Sequence, residues 1–204
     1  MTNKNLFLFS LLIFSCITAF SQNHYKIQIN DTVLDISLDK EYTMLLDNTP
    51  VQFKVIAKDT LIYDDELFSF NYSKDYRISQ MVIDEGIEQI VLMTAEGSGV
   101  LIQKYASMNP SMLNEIMISE VTKESINYGF QMKREDYTRK LRSGQDLRVN
   151  RAVLTYKDET NIYEVATLGK KDEGILIMTM VMDDQLSPQG MEIIEMMYDS
   201  FIYK

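Results

Sequence analysis

Phe68, Phe70 and Tyr72 stand two residues apart, and that spacing constrains the fold more than any other feature of the chain. In an extended backbone the three rings share one face while Ser69 and Asn71 take the other, the pattern of a half-buried strand. Ser73-Lys74-Asp75 then supplies turn chemistry, and Tyr76-Arg77-Ile78 resumes the alternation. The stretch 67–79 therefore predicts strand, turn, strand, and marks the start of the main globular domain.

Upstream, two hairpin-like units repeat one plan. Tyr25 to Ile29, the pair Asn30-Asp31 and Val33 to Leu38 form the first; Tyr42 to Leu46, Asp47 to Pro50 and Val51 to Ala57 form the second. Downstream, strands are predicted at 67–72, 76–83, 87–93 and 100–105. Asn109, Pro110 and Gly129 then punctuate a helix over 110–128, with Leu113, Ile116, Met117, Val121 and Glu124 along one side. Strand periodicity returns at 130–140, 146–156 and 160–168. Residues 175–182 are apolar on both faces, as a central strand covered on both sides must be. Ser187 and Pro188 open a last helix with a predicted buried stripe of Met191, Ile194, Met197, Tyr198 and Phe201. The fold class is α+β: a mostly antiparallel sheet flanked by two main helices, with N-terminal β-hairpins.

The chain has 204 residues, enough for one domain and a small appendage. Its first residues read as a secretory leader. Lys4 precedes the apolar run 6–14, and Ala19-Phe20-Ser21 puts small residues before a cut at Gln22. The expected organisation is a signal peptide over 1–21, a hairpin unit over 22–64 and an α+β domain over 65–204, secreted or periplasmic, with no membrane span after cleavage. Lipidation at Cys16 is the lesser alternative, because Phe14 is bulky where a lipobox carries a small residue. Cys16 is the sole cysteine, so cleavage leaves no thiol for a disulfide, a nucleophile or a metal. With 20 Lys+Arg against 30 Asp+Glu the chain carries a net charge of −10, which repels nucleic acid. The basic segment 133–142 is broken by Glu135 and Asp136 and reads as a solvated strand face.

The opening Phe68-Ser-Phe-Asn-Tyr-Ser-Lys-Asp-Tyr76, the helix 110–128, the meander of long strands from Phe130 and the closing strand-then-helix ending Asp199-Ser200-Phe201 resemble the PsbP-like and DcrB-like α/β/α sandwich family. The resemblance covers residues 65–204. Where the family often has Pro and then Trp, this chain has Ser73 and Tyr76, and it holds no Trp. The resemblance implies a binding or assembly factor without a reaction of its own, and carries no site to named positions.

Candidate chemistry is sparse. His24, the one histidine, lies three residues from the expected new N-terminus, where a catalytic triad is hard to build. Ser37 and Lys40 fit S-x-x-K but straddle a strand end rather than one helical turn. Gly97-Ser98-Gly99 joins strand to strand and reads as a turn, not a phosphate cradle. Asp64-Asp65-Glu66 and Asp183-Asp184 offer oxygen ligands for a cation without the spacing of a calcium loop. Met178, Met180 and Met182 alternate on a strand, and Met191, Met196 and Met197 lie on the last helix; core filling is preferred to copper capture. No catalytic, cofactor or metal residue is assigned, and no cofactor is expected. The expected function is an exported non-catalytic binding or assembly domain, monomeric or weakly oligomeric, contacting a protein partner through a sheet edge or the hairpins. The alternatives are a secreted carboxylate-based hydrolase and a metal- or small-ligand-binding protein. A deep polar pocket of Asp, Glu and Tyr would favour the hydrolase.

Overall fold

The computed structural model describes residues 25–46, 48–183 and 187–204. The expected leader with Cys16, His24 and Asp184 lie outside them. The chain divides into two compact units, Met1–Ala57 and Lys58–Lys204. In the first, β1 (Tyr25–Ile29) pairs with β2 (Thr32–Ile36) and β3 (Glu41–Leu46) with β4 (Thr49–Lys54), both antiparallel. Asn30 and Asn48 take positive φ at the two turns, a conformation their short side chains tolerate. Tyr42 stacks on Phe53 across the second hairpin, with centroids 5.7 Å apart. The expected pair of N-terminal hairpins is thus present.

The unit boundary falls seven residues earlier than the sequence places it. β5 (Thr60–Asp64) pairs along its length with β6 (Phe68–Ser73), so it belongs to the second unit rather than to the hairpins. β6 buries Phe68 and Phe70 and half-buries Tyr72, as the alternation predicts. Tyr76 and Ile78, however, are not in a strand. They leave the sheet and pack, partly buried, on the core. β7 (Ser79–Asp84) pairs instead with β8 (Ile87–Met93), and all six of its residues are exposed.

Beyond β8 come β9 (Gly99–Tyr105), a 3₁₀ turn over Pro110–Leu113 and α1 (Asn114–Tyr128). β10 (Gln131–Arg134), β11 (Tyr137–Lys140), β12 (Asp146–Tyr156), β13 (Glu159–Gly169), β14 (Gly174–Met182), α2 (Pro188–Ser200) and the short β15 (Ile202–Tyr203) follow. The main sheet runs β10-β12-β13-β14-β9-β8-β7, with β11 also on β12, and its pairings are antiparallel. The expected single strand over 130–140 is two strands. Between them the Asp136 carboxylate accepts the backbone N–H of Arg151 at 2.9 Å and takes a pairing position on β12. β15, unforeseen, adds to β6 and makes a separate three-stranded sheet, β15-β6-β5.

β14 lies at the middle of the main sheet and is covered on both sides, as its two apolar faces require. Ile175, Ile177 and Val181 join a core with Phe68, Phe70, Phe201, Ile193, Ile194 and Met197, under α2 and β6. Leu176 and Met178 point the other way, into a core with Ile118, Phe130, Leu154 and Val165 beneath α1. The class is α+β, a mostly antiparallel sheet with two helices.

The expected helix over 110–128 opens as the 3₁₀ turn and continues as α1. Leu113, Met117 and Val121 pack on the core as expected, as do Ile194, Met197, Tyr198 and Phe201 of the last helix's stripe; the exceptions are single positions. On α1 the buried residues are Ile118 and Thr122, whereas Ile116 is exposed. Thr122 can face the sheet because its hydroxyl donates to the Ile118 carbonyl at 2.8 Å and brings no unmet donor inward. On α2, Ile193 replaces Met191 in the stripe, and Met191 faces water. Ser187 stands at the N-cap, yet its side chain makes no capping bond.

Candidate functional site

α1 stops at Gly129, whose φ of 118° is a left-handed conformation, and whose N–H returns to the Ser125 and Ile126 carbonyls. The stop leaves Tyr128 72% exposed and turns Phe130 inward to 9%. Tyr156 packs beside this stop, its ring in ordinary contact range of the Gly129 position. Tyr128, Phe130 and Tyr156 form a three-ring cluster: centroids lie 5.4 Å apart for Tyr128–Tyr156 and Phe130–Tyr156, and 6.2 Å for Tyr128–Phe130.

This cluster borders a cavity of about 630 Å³ that opens to solvent. Its walls come from Glu124, Ser125 and Tyr128 of α1, from Glu159, Asn161 and Tyr163 of β13, from Met182 and Asp183 at the end of β14, and from Glu96 in the β8–β9 turn. The trough continues both ways through shared walls. Toward the middle of α1 it runs past Glu120, Lys123 and Met180; toward the β12–β13 turn it runs past Tyr156, Lys157 and Asp158.

Local hydrogen bonds fix the floor. Asn161 Oδ1 accepts the Asp183 N–H at 2.8 Å, and Asn161 Nδ2 donates to Glu159 Oε1 at 2.9 Å. The Tyr163 hydroxyl donates to Met182 Sδ at 3.6 Å. Glu96, Glu124 and Glu159 are exposed and Asp183 is half-buried, so the carboxylates stand as a wet rim above aromatic walls. One cation of the chain already sits on these rings: Lys157 Nζ lies 4.9 Å from the Tyr156 centroid. Lys157 occupies the first position of the two-residue β12–β13 turn at a φ of 53°.

Of the candidate ligands singled out by sequence, Asp183, Met180 and Met182 lie along this trough. The Asp64 carboxylate pairs with Lys204 Nζ at 2.6 Å, and Asp65 with Lys104 Nζ at 2.9 Å. Lys104 also meets Glu88 at 3.1 Å; burial alone would lower its pKa, but the two carboxylates outweigh it and raise it. Glu66 lines a different cavity with Glu88 and Glu173, so the two acidic patches are not brought together. Among the described residues no three His, Cys, Asp or Glu side chains are grouped to hold a metal ion. Ser37 donates its N–H to the Tyr42 hydroxyl, and Lys40 lies over the Tyr42 ring, in a connection between strands. Ser98 is buried and its hydroxyl accepts the Met182 N–H at 2.9 Å, so Gly97-Ser98-Gly99 is a structural turn. Met178, with Met180 and Met182 partly buried, packs in the core beneath α1 and Met197 in that beneath α2, while Met191 faces water.

The basic segment 133–142 is tied to carboxylates. Arg134 meets Glu115 and Asp136, Lys133 meets Glu135, and Arg139 meets Glu195 and Asp199. The rings of the trough were legible only as strand and helix-end residues. The signal lay in Tyr128 and Phe130 bracketing the glycine stop, and in the Tyr156-Lys157-Asp158-Glu159 turn.

No protein-family model matches the chain, and no curated protein matches it. Among solved structures it is similar to the solution structure of cyanobacterial PsbP (CyanoP) from Synechocystis sp. PCC 6803, at 11% identity and a TM-score of 0.46, over 72% of this chain and 93% of that one. Among the described residues no helix is long and apolar enough to cross a membrane.

Proposed function

We propose that this chain is an exported, non-catalytic binding or assembly domain of PsbP-like build that engages a protein partner in the bacterial envelope or outside the cell. The observation that carries the reading is the open trough beside α1, walled by Tyr128, Phe130 and Tyr163 and rimmed by exposed carboxylates. Convergent aromatic and charged groups at a concave surface are what a recognition site requires. A carboxyl that works as a general acid is held in dry, apolar surroundings, and the three glutamates here stand in water instead.

The trough replaces the sheet edge as the favoured contact. β7 is exposed and carries the open hydrophobic Val82, but its register shifts between Val82 and Asp84. Such a bulge blunts a strand edge against pairing with another chain. A hydrolase is the second reading, because Asp, Glu and Tyr from several elements do surround one cavity.

The test uses the exported chain from Gln22 as bait in envelope extract, with crosslinking, beside Tyr128→Ala and Glu124→Gln/Glu159→Gln variants. A partner retained by the wild type and lost by the trough variants is the expected result. Equal capture by all three, or turnover in a hydrolase screen that the glutamate variant abolishes, overturns the reading.

A further inference from the structure

Resting on the reading of the trough as a binding site, we infer that its occupant is an extended basic segment of a partner protein, whose lysine or arginine side chains lie on the rings of Tyr128, Phe130 and Tyr156 beneath the rim of carboxylates. Three independent features converge on that chemistry. Faces of tyrosine and phenylalanine attract cations through the ring quadrupole. Glu96, Glu124, Glu159 and Asp183 surround those faces, on a chain with a net charge of −10. Lys157 already sets its ammonium over Tyr156, so the chain itself places a cation against this aromatic wall.

The shape selects a polypeptide rather than a small cation. A small-molecule site encloses most of its ligand. This trough is open, and it continues through shared walls along α1 and around the β12–β13 turn. An extended chain could place one cationic side chain at the three-ring cluster and others near Glu120 and Asp158. Lys157 then acts as a resident competitor for the Tyr156 face, and its left-handed backbone position holds it at the turn.

The experiment measures binding of fluorescent hexalysine and hexaarginine to the full exported chain by anisotropy. A glutamate hexamer, a glycine-serine hexamer and tetramethylammonium serve as comparison probes. Tyr128→Ala decides the outcome, because it leaves net charge unchanged at a highly exposed position where folding is not at stake. Expected are basic-peptide binding that weakens with salt, an about tenfold loss in Tyr128→Ala, an about fivefold loss in Glu124→Gln/Glu159→Gln, and an about twofold to fivefold gain in Lys157→Ala. Binding unchanged in Tyr128→Ala would mean diffuse attraction to an acidic surface and would overturn the inference. So would equal affinity for the neutral peptide, or tetramethylammonium binding as tightly as the peptides. Basic peptides that fail while the trough variants still lose the native partner sink this inference and leave the binding reading standing. Trough variants that keep the partner sink that reading itself.

Discussion

At Glu164 a carboxylate only 5% exposed sits in the main sheet and accepts from three side chains: the Tyr137 hydroxyl at 3.1 Å, the Thr179 hydroxyl at 3.0 Å and Arg151 Nη1 at 3.0 Å. Arg139 lies above the same region, 4.5 Å over the Tyr198 ring, with its pKa raised chiefly by hydrogen bonding to Glu195. Removing this carboxylate leaves the Tyr137 and Thr179 hydroxyls without their acceptor, so Glu164→Ala is expected to cost about 1–3 kcal/mol in urea unfolding. Tyr137→Phe, which removes one donor of the three, should cost about 1 kcal/mol. The same tyrosine predicts an alkaline limit. Burial, reinforced by the Glu164 charge, pushes Tyr137 from 10.0 up to about 12. The unfolded chain therefore loses this proton first as pH rises. The contribution is complete below pH 10 and disappears between pH 10 and about 12. Tyr198, fully buried and also raised, acts in the same direction. Stability measured across that window should fall, and fall less steeply in Tyr137→Phe. An equal slope in the variant would show that Tyr137 is not a source of the decline.

Elements were readable wherever a local rule set them. Gly129 stops the first helix as expected, Asn109 and Pro110 open the 3₁₀ turn that leads into it, and the doubly apolar run of β14 is the middle strand of the sheet. What the chain hid came from partners distant in sequence. Ile116 and Met191 satisfy helical spacing yet face water, because the covering sheet meets α1 at Ile118 and α2 at Ile193. Tyr76 and Ile78 keep strand alternation yet pack as loop, and β15 exists only because β6 offers it an edge. The trough was hidden for the same reason: its walls join four regions spread from Glu96 to Asp183, with no spacing to reveal them. One turn element carries a sharp prediction. Gly99 opens β9 at a φ of 145°, and a Cβ there would lie 2.3 Å from the Leu92 carbonyl oxygen, a backbone atom with nowhere to go. Gly99→Ala should lose at least about 2 kcal/mol in thermal or urea unfolding, from strained backbone and from the clash together. A Gly144→Ala control, with open space around its Cβ but also a positive φ of 86°, separates the two causes. If both variants unfold alike, the close approach at Leu92 contributes nothing.

For the molecule as a whole, the division at Ala57 decides where the proposed binding site resides. Among the described residues, both hydrophobic cores draw their side chains from Tyr63 onward. The eight-stranded and three-stranded sheets likewise begin at Thr60, with β5. The hairpins contribute no strand to either sheet among the described residues. Folding of the second unit, with its trough, should therefore not depend on them. A chain beginning at Lys58 is expected to unfold in a single cooperative transition, with its midpoint within a few degrees of the chain from Gln22, since it keeps every residue of both cores. It should also bind hexalysine with the affinity of the chain from Gln22, and lose that affinity on Tyr128→Ala. Loss of near-ultraviolet dichroism in the shortened chain would show that the hairpins are needed for packing. Intact dichroism with lost peptide binding would move recognition to the hairpins, the contact that the sequence alone put forward beside the sheet edge. The two results are distinct because one reads side-chain order and the other reads the ligand.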